Sequence, residues 1–373
     1  MPNDARLGPR ALSSAAREAM EEMNAEARGL NIWLRTEANA PAQRPWPRAE
    51  LEPSERAQGR VGAGQTKSVP HLWRWRDISP YLDRIAALAR TADVPPIAFA
   101  DRQQFLLTNP GLGGRLQVTS AIRCAISIYN PGDVAPVHRH TPNASRTILS
   151  ETGGYTTVEG ERLPAMRGDL ILTPGGTWHG HGNDGAKPVI WADVLDWPLL
   201  EFLDCIWLDE EFPGPLVGNT RAQAARRGAE RSHRLYGAGG IVPAGAPHQD
   251  GTPLLHYSGA AIGSALDGID DADCDPYEGA RLRFVNPATG GPVFATLDYA
   301  AQRLKPGMAT GWKRETASTL YCVMAGSGTT EVGAERLDWE VNDFFVVPNF
   351  LWRRHLSRGP GDAVLYSVSE APV

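Results

Sequence analysis

Cysteine is scarce in this chain. The four residues, Cys124, Cys205, Cys274 and Cys322, are widely spaced and form no CxxC pair, which argues against a disulfide framework and for free thiols in a reducing compartment. Long apolar runs are missing as well. None approaches the roughly 18 residues of a membrane span, and the opening Met-Pro-Asn-Asp-Ala-Arg lacks the apolar core of a secretory signal, so the expected location is the cytoplasm. Basic charge is not in excess: the net charge is −6 and the pI about 5.9. Neither nucleic acid nor an anionic membrane is therefore expected as the main partner. What the chain has in plenty is glycine and proline, 39 and 30 residues, with only 21% charged residues. That balance fits an all-β protein with many turns, and 373 residues suffice for two or three domains.

Histidine is sparse too, nine in all, yet four fall in one stretch. It runs from Gly132 through His138-Arg-His140, then from Gly168 through Pro174-Gly-Gly-Thr-Trp-His179-Gly-His181-Gly-Asn183. Two histidines one residue apart point the same way on a β-strand, because strand side chains alternate between faces. A third comes from a second strand-and-turn segment. Three neutral imidazoles (His138, His140 and His179) converging from two strands leave other coordination positions open, as a redox metal such as iron requires when substrate and O2 must both reach it. The pattern Gly-x5-His-x-His followed by Gly-x5-Pro-x-Gly-x2-His-x3-Asn resembles both sequence motifs of the cupin barrels. The carboxylate that many cupins place a few residues after His-x-His is missing, and Ser145 and Arg146 stand about there instead.

Around this centre the chain divides into an N-terminal arm (1–96), a first barrel (97–200), a wrapping linker (201–280) and a second barrel (281–373). In the arm, residues 12–28 predict a helix stopped by Gly29, 38–70 an extended surface segment, and 81–91 a helix entered through Ser79-Pro80. His71 reads as a packed or capping histidine. Short strands are expected at 105–108, 121–129, 147–150, 155–158, 169–173 and 189–194, spaced as in a barrel or sandwich. The linker should hold a short helix at 199–208 and a basic, glycine-rich loop with a helical piece at 218–240.

The last third repeats the centre. Pro306-Gly307 matches Pro131-Gly132 at an offset of 175; Glu335-Arg-Leu337 matches Glu161-Arg-Leu163, and Asp343, Pro348 and Trp352 match Asp169, Pro174 and Trp178, at 174. Two copies of one barrel follow. In the second copy Lys313 replaces His138, Glu315 replaces His140 and Arg353 replaces His179, with only His355 persisting opposite His181. Two cations and a carboxylate should pair with one another, so that barrel is expected to be metal-free.

With these segments in view, the chain resembles the gentisate 1,2-dioxygenase family of bicupin ring-cleaving enzymes, which includes salicylate-type 1,2-dioxygenases. The resemblance lies in His71-Leu-Trp-Arg-Trp75, Asn109-Pro-Gly-Leu-Gly113, Ala135-Pro-Val-His-Arg-His-Thr141, Thr173-Pro-Gly-Gly-Thr-Trp-His-Gly-His181, Val189-Ile-Trp-Ala-Asp193 with Leu195-Asp196, and Val364-Leu-Tyr-Ser-Val-Ser369. It implies Fe(II), a homotetramer, and cleavage of the C1–C2 bond of an aromatic acid bearing an ortho hydroxyl, with O2 as co-substrate. Arg146, six residues past His140, would hold the substrate carboxylate by a charge-assisted bond worth about 1.5–3 kcal/mol. Arg102 is a second candidate by family position. His181 is expected to handle protons, with Asp193 on its other ring nitrogen; Trp178 and Trp191 read as wall packing.

The departures fall on one strand, at Arg123, Ala125 and Ser127. Arg123 requires an anionic or strongly polar mate. If the mate is on the ring, a 5-substituted salicylate such as 5-nitrosalicylate stands level with gentisate. Two other readings compete: a non-oxygenase metallo-cupin (isomerase or decarboxylase) and a non-catalytic ligand-binding bicupin. Whether Cys124 touches the pocket is left open by the sequence.

Overall fold

The computed structural model describes residues 13–35, 67–91, 103–151, 153–213, 216–217, 220–221, 230–239, 241–244 and 251–373. The expected bicupin architecture is present. Each half pairs one large antiparallel sheet with a three-stranded one, rather than closing a single ring of strands. The first large sheet runs, edge to edge, Ile32–Leu34, Gln104–Leu107, Arg123–Tyr129, Val189–Leu195, Ala144–Ile148, Leu170–Thr173 and His256–Tyr257. Facing it are His179–Asn183, Gly154–Val158 and Glu161–Ala165. The second half repeats this with a six-stranded sheet centred on Asp298–Leu304, Ala363–Ser369 and Thr319–Ala325, and a three-stranded one of Glu335–Trp339, Gly328–Val332 and Arg353–Ser357.

The burial patterns explain the packing. Gly154–Val158 and Glu161–Ala165 alternate buried with more exposed residues, as strands with one wet face do. Arg123–Tyr129 is buried almost throughout, because both of its faces are covered. Cys124, Ile126 and Ile128 point into a core shared with Leu320, Cys322, Met324 and Val368 of the second half. Cys124 thus belongs to the joint between the halves. Burial raises its thiol well above the usual range, and all four cysteines are free.

The halves also exchange an edge strand and a helix. His71–Trp73, from ahead of the first half, pairs with Phe344–Val347 of the second; His256–Tyr257, from ahead of the second, pairs with Leu170–Thr173 of the first. A helix follows each, Trp75–Thr91 and Gly259–Asp267. Asp343 accepts the Trp75 N–H at 2.7 Å and Asp169 accepts the Gly259 N–H at 2.8 Å. These are the repeat-matched aspartates, each holding the start of the helix it receives. The first helix therefore begins at Trp75 rather than 81, with Pro80 inside it; its cap lies 268 residues away in the chain. The linker helix also starts early, at Trp197–Phe202, with Pro198 in its first turn. The six strands expected in the centre are found within about three residues of their expected ends, a normal boundary scatter.

In the second half the charged replacements form one cluster. Lys313 and Arg353 bridge through their backbones as His138 and His179 do. Lys313 Nζ lies 2.7 Å from Glu278 and 2.8 Å from Glu315, and Arg353 lies 2.7 Å and 3.0 Å from the same two carboxylates. Glu278, only 2% exposed, was not anticipated. Burial pushes its carboxyl up, but Arg353 and Lys313 outweigh that and hold it down at about 2, against an ordinary value of 4.5. A carboxyl held lower in the folded chain adds stability that is present above about pH 4.5 and lost as pH falls toward 2. The size is on the order of 3 kcal/mol. Glu278→Gln should lower the urea midpoint at pH 7, and the gap from wild type should close across that window. A gap that stays constant down to pH 2 would remove Glu278 from this role.

Candidate metal centre and substrate pocket

The four histidines of the first half converge on one interior spot. His138 and His179 exchange backbone N–H···O bonds of 2.9 Å each, which brings their rings to 4.4 Å, centroid to centroid. His140 follows on the short strand Arg139–His140, with its ring 5.6 Å from His138 and 4.8 Å from His179. Each of the three turns Nδ1 onto a backbone carbonyl two residues away: Pro136 at 2.9 Å, Pro142 at 2.8 Å and Thr177 at 2.9 Å. A carbonyl only accepts, so each Nδ1 carries the proton and each Nε2 keeps a lone pair. The Nε2 of His179 is buried and has no partner among the described residues. Burial, with His138 beside them, drives the imidazoles of His140 (to about 3) and His179 well below the usual value, so they are neutral at physiological pH. Neutral rings with free lone pairs are what a divalent metal needs.

His181 has the opposite arrangement. Its Nε2 lies 2.8 Å from an Arg146 guanidinium nitrogen and its Nδ1 3.2 Å from the Thr156 hydroxyl. Guanidinium only donates, so Nε2 accepts and Nδ1 bears the proton. Candidate donor atoms of His138, His179 and His181 lie within 4.8 Å of one another, so proximity alone would admit His181 as a ligand. The lone pair of His181 is already engaged by a cation, whereas that of His140 is not.

Arg146 is the hub of the polar side. It is 4% exposed, with Nε 3.0 Å from Asp193, one terminal nitrogen 2.7 Å from Thr173 Oγ1 and the other on His181. The strand register sets Asp193 directly opposite Arg146. Asp193 also accepts from Ser127 Oγ at 2.5 Å and from Trp191 Nε1 at 3.0 Å. The expected contact of Asp193 with the second nitrogen of His181 is thus corrected: Thr156 occupies that nitrogen, and Asp193 reaches His181 only through Arg146. The six residues from His140 to Arg146 do not form one continuous strand. The strand is interrupted after His140, which pairs with Leu208, and resumes at Ala144.

Ala125 lies opposite Asp193 in the register, and Ser127 opposite Trp191. Tyr129 stacks on Trp191 at 4.7 Å, and both rings approach His181, at 6.5 and 6.0 Å. Trp178 instead carries Arg139 over its face and meets Phe212 edge-on. Arg123 finds its mate in Trp197, with its Cζ 4.7 Å above that ring, and in the Leu116 carbonyl at 3.2 Å. Burial pulls its guanidinium down to about 10, with Glu201 acting the other way. Arg102 lies outside the described residues. Sequence reasoning gave no site role to Thr156, Thr173, Trp197 or Asp196. A signal for Thr156 was present, since Thr330 and His355 repeat Thr156 and His181, down to a 2.8 Å contact.

Residues 125–195 match the family model described as Cupin domain, so fold and motif together define the molecule as a cupin. The 5-aminosalicylate 1,2-dioxygenase of Comamonas sp. is 36% identical over 309 residues, covering 82% of this chain and 78% of that protein. A gentisate 1,2-dioxygenase of Streptomyces sp. is 33% identical, covering 83% of this chain and 84% of its own length. Among solved structures, the salicylate 1,2-dioxygenase of Pseudoaminobacter salicylatoxidans with gentisate is 30% identical, with a TM-score of 0.72 over 83% of this chain and 82% of that one. The chain belongs to the gentisate- and salicylate-type family of ring-cleaving 1,2-dioxygenases.

Proposed function

We propose that this chain is an Fe(II)-dependent dioxygenase that inserts O2 across the C1–C2 bond of an ortho-hydroxybenzoate, either gentisate or a 5-substituted salicylate. The observation that carries the reading is the shared orientation of His138, His140 and His179: each gives Nδ1–H to a backbone carbonyl and keeps Nε2 for a metal. The orphaned Nε2 of His179 and the all-imidazole donor set fit iron(II), and among the described residues no carboxylate joins the cluster. Iron bound there would supply the Lewis acidity and redox capacity for O2 chemistry.

The remaining steps fall to the chain's own residues. Arg146, fixed by Asp193 and Thr173, supplies the buried cation for the substrate carboxylate. His181 is held neutral by burial and by Arg146, and its Nε2 can take the proton of the ortho hydroxyl once Arg146 turns that N–H onto the substrate carboxylate. Ser127 and Trp191 hold Asp193, while Ala125 and Tyr129 shape the wall. The relatives' names (gentisate, salicylate, 5-aminosalicylate) support an ortho-hydroxybenzoate substrate. The working assembly is proposed to be a cytoplasmic homotetramer; no helix among the described residues is long and apolar enough to cross a membrane.

The test is oxygen uptake by Fe(II)-loaded protein with gentisate, salicylate and 5-nitrosalicylate, following the ring-opened chromophore. Uptake with at least one is expected. Stoichiometric iron with no uptake on any of the three would return the chain to non-oxygenase cupin chemistry.

A further inference from the structure

We propose that the indole N–H of Trp197 is the hydrogen-bond donor that selects aromatic acids carrying an oxygen-bearing ring substituent, and that Arg123 acts through it. The inference rests on the dioxygenase reading above and deepens it.

Three observations converge on Trp197. Its ring meets that of His140 edge-on, at 6.4 Å and 69°, so it forms part of the wall beside the candidate metal centre. Its one polar side-chain atom, Nε1, is buried and has no hydrogen-bond partner among the described residues. Buried N–H groups nearly always have one, and an orphaned donor beside a ligand site is readily explained by a ligand that completes it. The ring is also held in place. Asp196, the residue before it, accepts from the Asn143 backbone N–H and side-chain amide, 2.8 Å each, and from the Thr296 hydroxyl. Asn143 lies three residues after His140, so the clamp ties the indole to the loop that leaves that histidine.

Arg123 lies over the face of this indole. Among the described residues no carboxylate is within ion-pair distance of Arg123. Its charge therefore acts on the indole face, drawing electron density from the ring and strengthening Nε1–H as a donor. Arg123 is thus a positioning and polarising residue rather than a direct ligand contact. A ring oxygen bearing partial negative charge, as in a nitro group, is the acceptor this pair favours; an unsubstituted ring leaves the donor unpaired.

The test compares iron-loaded wild type, Trp197→Phe and Arg123→Gln. Dissociation constants for salicylate and 5-nitrosalicylate are measured by equilibrium dialysis without oxygen, and KM and kcat are measured in air. Trp197→Phe should weaken 5-nitrosalicylate about tenfold and salicylate less than about twofold, with the change in KM rather than kcat. Arg123→Gln should weaken the nitro compound about threefold and leave salicylate nearly as it was. Equal losses for both ligands, or none, in Trp197→Phe would overturn the donor role while leaving the dioxygenase reading intact. Should that variant fail to fold, a ligand-independent effect of Arg123→Gln would overturn it equally. A wild type that binds neither acid would overturn both.

Discussion

His140→Ala is expected to strip iron from the protein and to end oxygen uptake, with at least about a thousandfold loss of turnover. The reason lies in tautomers. His138, His140 and His179 commit Nδ1 to a carbonyl and face inward with Nε2, whereas His181 spends its Nε2 on Arg146. Loss of a group that merely orients a ligand costs about 10–100-fold in metal affinity, and loss of a ligand itself costs more. His181→Ala is the informative contrast. It should retain iron and slow turnover by about 10²–10⁴, the usual contribution of a positioned acid or base. Iron content by competition with a chelator separates the two variants without reference to activity. If His181→Ala loses the metal and His140→Ala keeps it, the ligand set is His138, His179 and His181, whose donor atoms all lie within 4.8 Å of one another.

Arg146→Met should cost both stability and catalysis. The change leaves Asp193, whose side chain is 14% exposed, with Ser127 and Trp191 but without its cation, and breaking a largely buried pair from one side costs up to about 3–5 kcal/mol. It also removes the donor that fixes His181 and the charge proposed to hold the substrate carboxylate, so kcat/KM should fall by more than about a hundredfold. Arg146→Lys should not rescue activity, because an ammonium cannot reach Asp193, Thr173 and His181 at once as the planar fork does. The double variant Arg146→Met with Asp193→Leu should regain most of the stability and none of the activity. Urea midpoints with steady-state kinetics check this. A double variant as unstable as the single one would show that Asp193 carries no unpaired charge there.

The histidines and the double architecture were legible because their signals are local or periodic. A two-residue period on a strand suffices for His138 and His140, and a fixed offset suffices to pair Lys313 with His138 and Arg353 with His179. What the sequence hid depends on contacts between distant segments. Asp343 caps a helix 268 residues earlier, so the early start of Trp75–Thr91 could not be read from Ser79-Pro80. Asp193 meets Arg146 through strand register, which no spacing rule supplies. Glu278 lies ahead of the matched repeat segments, so nothing flagged it as the partner of Lys313 and Arg353. Arg123 was expected to need an anionic or strongly polar mate; its guanidinium lies instead over an indole face, contributed by a helix that begins earlier than its pattern suggested.

The central claim is that the three imidazoles would hold an iron with which the chain adds both atoms of O2 to an ortho-hydroxybenzoate. The most direct measurement is a single turnover of Fe(II)-loaded protein under isotopically heavy O2 with the best of the three acids, followed by mass analysis of the ring-opened product. The account predicts that both heavy atoms appear in one product molecule, with the ring opened between the carbons bearing carboxylate and hydroxyl. A product carrying one heavy atom, or none, would contradict it.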